Sequence, residues 1–238
     1  AFALGFLTGP AIGGLTAHIN LVEKMPALAQ FGFHPFSAAA LIGFALCLVN
    51  LVWVAVRFRE TLSASLRAAA APVTRLRNPL RAVLALTDPA LRRANYVGFF
   101  LTFGFSFFET IISFFTADQL GFGPRGLAMI FIHIGLVSIF TQGVLVRRLV
   151  PRLGEKRTAL IGIGAIAVAF VLLGYFIGVA RSVPGLFVAL TVCAMGSGFA
   201  NVGLSSLISL YAGAEDQGRV TGPYRSMGFL ARACSPAF

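Results

Sequence analysis

Six stretches of this chain contain no Asp, Glu, Lys or Arg: residues 1–22, 36–56, 94–108, 126–146, 158–180 and 182–214. The third continues to Ala117 if Glu109 is tolerated. A helix needs about 20 apolar residues to cross a hydrocarbon layer about 30 Å thick, and these runs meet that length. They lack the polar alternation of barrel strands, and a lone strand cannot satisfy its backbone groups in lipid, so helices are the form that fits. Only 11% of the residues are charged, against about 25% in soluble domains. The reading is an all-α membrane protein with six transmembrane helices plus the start of a seventh.

Net charge is +11, which by itself invites a nucleic-acid reading, but its placement excludes one. Arg57, Arg59, Arg67, Arg75, Arg77, Arg81, Arg92 and Arg93 lie between the second and third spans. Arg147, Arg148, Arg152, Lys156 and Arg157 lie between the fourth and fifth, and Arg219 and Arg225 precede the seventh. The alternate loops hold only Lys24, Arg125 and Arg181. A nucleic-acid surface does not alternate loop by loop, whereas a membrane protein with a positive cytoplasmic side does. Cys47, Cys193 and Cys234 stand singly in apolar segments, without metal or disulfide spacing. No cofactor is expected. The chain opens inside an apolar run and stops at Ser235-Pro236-Ala237-Phe238, about ten residues into its last helix, so both ends read as truncations of a longer protein.

Residues 57–93 hold eight Arg, the run Ala68 to Ala71, and Pro72, Pro79 and Pro89. They read as a basic cytoplasmic linker, with a short amphipathic helix on the inner leaflet, between residues 1–56 and a second bundle, 94–238. The fifth span is almost free of polar side chains and is expected to face lipid. In the third, Thr102, Ser106, Glu109, Ser113 and Thr116 recur at helical spacing and form one stripe. A carboxylate at the bilayer centre costs at least about 3 kcal/mol, so this stripe is expected to face a watery cavity. Thr191, Ala194, Gly198, Asn201 and Ser205 make a weaker stripe on the sixth span, for which packing and cavity readings stand level. Arg232 lies deep in the seventh helix and is the candidate partner of Glu109, about two turns lower by this count. His133 is a candidate titrating or packing residue, and Gln142 and Asn201 could orient a substrate or bond across helices.

Gly5-Phe6-Leu7-Thr8-Gly9-Pro10-Ala11-Ile12-Gly13-Gly14 resembles the antiporter motif of drug:proton antiporters of the major facilitator superfamily, with Gly5, Gly9, Pro10, Gly13 and Gly14 at the specified positions. The glycines four apart offer a side-chain-free groove, and Pro10 bends the span. Arg59-Glu60-Thr61-Leu62 is similar to the family's P-E-T-L ending, with Arg59 in place of Pro. Gly143, Arg148, Gly154, Lys156 and Arg157 match the family's cytoplasmic loop motif, but Arg147 stands where an Asp is usual. Gln217 to Gly222 is similar to the approach to the eleventh helix of tetracycline-efflux-like proteins.

The resemblance maps the chain onto about helices five to eleven. It implies a multi-pass protein of the cell membrane, plasma or inner, of bacterial type. It further implies proton-coupled export of a small amphipathic molecule or drug by alternating access, with the Gly5 to Gly14 motif as a gating interface. The implied partners are the lipid bilayer, a small-molecule substrate, protons and the missing N-terminal helices of the same chain, and no nucleic acid. A metabolite or sugar uniporter or symporter of the same fold is the nearest alternative. A non-transporting receptor or integral-membrane enzyme fits less well, because no catalytic constellation and no sensing domain is visible.

Overall fold

The computed structural model describes residues 8, 9, 12, 13, 16, 19–34, 37–58, 78–212 and 217–237. They are helical almost throughout: α1 (Leu21–Lys24), a 3-10 turn (Pro26–Phe31), α2 (Ser37–Arg57), α3 (Pro79–Leu84), α4 (Pro89–Leu120), α5 (Pro124–Phe140), α6 (Val146–Leu153), α7 (Glu155–Gly174), α8 (Val183–Tyr211) and α9 (Gln217–Cys234). A π-helical turn, Thr141–Leu145, joins α5 to α6 without a break, and a second, Tyr175–Val179, extends α7. Five of these segments are long and apolar enough to cross a membrane: Ser37–Arg57, Pro89–Leu120, Pro124–Leu153, Glu155–Val179 and Val183–Tyr211. The first expected span, with Gly5, Pro10 and Gly14, lies largely outside the described residues, as does most of the basic linker. Of its motif, Gly9 and Gly13 are described, and a Cβ at either would meet nothing within 4 Å.

The helix ends follow from local chemistry. Asp88 caps α4 by accepting from the Ala90 N–H at 2.7 Å, and Pro89, which has no N–H to leave unpaired, takes the first turn. Gly121 ends that helix with φ 67°, and Gly154 turns α6 into α7 with φ 76°. Side chains would be strained in that backbone region, which is why glycine stands at both corners.

Contacts divide the chain into two units, Gly9–Arg75 and Leu76–Phe238 together with Ala1–Thr8. In the first, α2 exposes Phe44, Val49, Trp53 and Val56, an apolar surface suited to lipid or to other helices. The second unit is a bundle whose core joins Ile112 of α4, Ile130 and Ile134 of α5, Leu173 of α7, Ile177 and Leu186, Leu190 and Ala194 of α8. A smaller cluster gathers Leu86, Leu91, Ala94, Ile208, Ala212 and Val220 at the end where α4 begins.

Helices in lipid gain nothing from hydrophobic exclusion among themselves, so close packing must hold them. The α7–α8 pair shows how. A Cβ on Gly162 would lie 2.6 Å from the Gly196 carbonyl oxygen, and one on Gly203 would lie 2.6 Å from the Ala159 nitrogen, so the two backbones touch. The fifth span, expected to face lipid, therefore does so on one side only: Leu160, Val168 and Val171 are exposed while Ala159, Gly162, Ile166 and Ala169 are buried.

The last helix corrects an expectation. Its start falls at Gln217 and not near Arg225, so it runs 18 residues and carries Pro223 inside it. The Gln217 side chain reaches back to donate to the Ser209 and Ala212 carbonyls at 2.9 and 3.1 Å, closing the end of α8.

Candidate functional site

The site is built where α4 and α9 run side by side in the same direction. Gly98 faces Tyr224, Thr102 faces Gly228, and further along, about two turns on in α4 and one in α9, the side chains of Glu109 and Arg232 meet. Gly98 lets the Tyr224 ring lie against α4, which brings the axes close enough for the charged pair to form. Arg232 Nη1 lies 3.4 Å from Glu109 Oε2. The expected two-turn offset is overturned, because α9 starts at Gln217 and so lifts Arg232 fifteen positions into its helix.

At 3.4 Å the pair is longer than the about 2.7–2.9 Å of a tight charge-assisted bond, and neither partner is sealed away. The Glu109 side chain is 20% exposed and Arg232 41% exposed. A carboxylate and a guanidinium that neutralise one another here both remain partly exposed.

The polar stripe around Glu109 divides. Thr102 borders Gly228 of α9, and Ser106 is buried. Ser113 is half-buried beyond them. Thr116 is fully buried, its hydroxyl donating to the Ile112 carbonyl at 2.6 Å, so it belongs to packing. Beside the stripe, Phe99, Phe103 and Phe107 stack in series with ring centroids 6.2 and 6.5 Å apart. At about 100° per residue the row turns from beside the stripe at Phe99 towards the opposite face of α4 at Phe107.

A cleft of about 240 Å3, lined by Gly104, Phe107, Phe108, Ile111, Phe170 and Ile177, is a different feature. At about 100° per residue its α4 lining points about 150° away from the polar stripe. It is an apolar groove between α4 and α7.

Gln142 and Asn201 belong to another helix pair, α5 and α8. Gln142 sits in the π-helical turn, and Gly198 of α8 makes room for that turn: a Cβ there would lie 2.8 Å from Thr141 Cγ2. Asn201 is exposed and donates to the Ser197 carbonyl at 2.9 Å. The stripe on α8 thus splits, with Ala194 and Gly198 packed and Asn201 and Ser205 open. Of the loop motif, Gly143 lies in the π turn, Arg148 on α6, Gly154 at the corner, and Lys156 and Arg157 in the first turn of α7.

His133 and Thr191, singled out separately in the sequence, are joined across α5 and α8 at 2.9 Å. The Thr191 hydroxyl gives its one proton to the Phe187 carbonyl at 2.8 Å, so Nε2 of His133 must be the donor to Thr191. The π-helical turns had no signal in the sequence. Such turns leave backbone groups out of register and are frequent at functional sites.

A family model for the Major Facilitator Superfamily matches residues 1–236. Human major facilitator superfamily domain-containing protein 10 is 31% identical over 246 residues, covering 99% of this chain and 50% of the relative. Multidrug resistance protein 2 of Bacillus subtilis (strain 168) is 31% identical over 157 residues, 66% of this chain and 36% of the relative. The chain spans about half the length of the curated relatives it matches along its whole extent. Among solved structures, the crystal structure of the human organic anion transporter MFSD10 (TETRAN) superposes with a TM-score of 0.60 at 30% identity, covering 67% of this chain and 39% of that one.

Proposed function

The chain belongs to the major facilitator superfamily and is a multi-pass membrane protein, and from that membership we propose that it is the back half of a secondary active transporter. In this reading the transporter exports a small amphipathic molecule in exchange for protons, by alternating access to a site near the membrane midplane. Residues 1–56 supply the last two helices of the first bundle, 57–93 the cytoplasmic linker and 94–238 the second bundle, in the cell membrane.

The observation that carries the proposal is the Arg232–Glu109 contact within the spanning bundle. An ionised carboxylate in that setting costs about 2.5–3.5 kcal/mol unless paired, and Arg232 pairs it. Protonation of Glu109 removes the pair's attraction, while loss of the proton restores it. Substrate and proton then compete for one element, which is the requirement for exchange. Thr102, Ser106, Ser113, Gln142 and Asn201 are assigned to hydrogen bonding along the pathway, and Phe99 and Phe103 to the apolar part of the substrate.

A second reading, transport of an organic anion with Arg232 as its counter-ion, is favoured by the greater exposure of the guanidinium, 41% against 20% for Glu109. The human structural relative is itself an organic anion transporter. Reconstituted full-length protein separates the two. Export that acidifies the opposite compartment and fails in Glu109→Gln supports exchange. Anion flux that survives Glu109→Gln and is lost in Arg232→Gln supports the second reading.

A further inference from the structure

Residues 126–146 carry no charge and, at about 1.5 Å per residue, cover about 31 Å, the thickness of the hydrocarbon layer. The helix does not stop there. The spanning segment runs from Pro124 to Leu153, so α6 projects about 10 Å further, into the headgroup layer. It carries Arg147, Arg148 and Arg152 on its exposed side, while Leu149, Val150 and Leu153 are half-buried. Gly154, at φ 76°, reverses the chain. The first turn of α7 then returns Lys156 and Arg157, both exposed, to the depth where the next uncharged run begins at Thr158.

Five cations therefore stand within about 10 Å of one membrane face, with Glu155 the one carboxylate between Arg147 and Arg157. A soluble polyanion has no reason to sit at this depth, whereas a phospholipid headgroup is held there by its own acyl chains.

We propose that the α6–α7 corner is a binding site for the headgroup of an anionic phospholipid. Each cation near such a surface contributes about five-fold in affinity. The test uses the full-length transporter in nanodiscs, with native mass spectrometry scoring retained phosphatidylglycerol against phosphatidylcholine. Phosphatidylglycerol is retained preferentially. R147Q/R148Q/R152Q weakens it by on the order of 100-fold, and Arg147→Asp alone by about 25-fold. R147K/R148K/R152K keeps it, and R92Q/R93Q, at the start of α4, leaves it unchanged. Equal retention of the two lipids by the unaltered protein overturns the proposal. So does an equal loss in R92Q/R93Q, which reveals a diffuse field, or displacement of the lipid by inorganic phosphate, which reveals a soluble-anion site.

Discussion

Replacing Gly162 with Ala adds one methyl group at the tightest helix crossing in the bundle. That methyl would lie 2.6 Å from the Gly196 carbonyl oxygen and 2.8 Å from Ala200 Cα, both backbone atoms that cannot swing aside. Ordinary contacts between such atoms are about 3.5–4.0 Å, so α7 and α8 must separate by about 1 Å. A gap of that size forfeits a quarter to a half of the dispersion attraction of every atom pair that loses contact, here along Ala159, Ile166, Ala200 and Gly203. Overpacking of this kind costs about 1–3 kcal/mol. Gly164, two residues away, is exposed, and a Cβ there meets nothing within 4 Å. Gly164→Ala therefore carries the same change in helix propensity without the clash, and the difference between the two variants isolates packing. The assay is graded unfolding in mixed micelles, followed by labelling of the thiol of Cys193, which is 2% exposed in the folded bundle. Gly162→Ala should unfold more easily than Gly164→Ala by about 1–3 kcal/mol. Coincident midpoints refute the close-packing argument.

Thr191→Val removes the acceptor of the His133 N–H and should destabilise the bundle by about 1–2 kcal/mol in the same unfolding assay, with Thr191→Ser restoring most of it. Gly9→Leu, within the glycine-rich motif, should lower substrate flux while folded yield persists; normal flux would remove the motif from the mechanism. For topology, an impermeant thiol reagent applied to intact cells should label a cysteine at Arg125 or Arg181 and spare one at Arg152. Labelling at Arg152 inverts the orientation.

The spans could be read from the sequence because charge is expelled from lipid and the uncharged runs are therefore long and sharply bounded. The helices themselves run past the uncharged runs, to Leu153 before the corner and from Glu155 after it. Glu109 could be read for the same reason, since an acid within an apolar helix stands out against Phe, Ile and Ser. Its pairing could not be fixed. The depth of Arg232 depends on where α9 begins, and Pro223 inside that helix imitates a helix start. The polar stripe shared the fate of most periodic patterns: it identified a face but could not distinguish Thr102, beside α9, from Thr116, which closes its hydroxyl onto its own helix. The two π-helical turns have no signature in the residue pattern; at the first, Thr141 packs against Gly198 of α8, a contact that only the tertiary structure supplies.

The proposal that Glu109 and Arg232 form the exchange element is tested most directly by proton and substrate flux in proteoliposomes. The proteins to compare are the full-length protein, Glu109→Gln, Arg232→Gln and the double variant. Each single variant should fold, retain less than about a tenth of the flux, and no longer move protons when substrate is added. The double variant should lose little more than either single, since residues acting as one unit are not additive. Unchanged substrate flux with unchanged proton movement in Glu109→Gln would contradict the account.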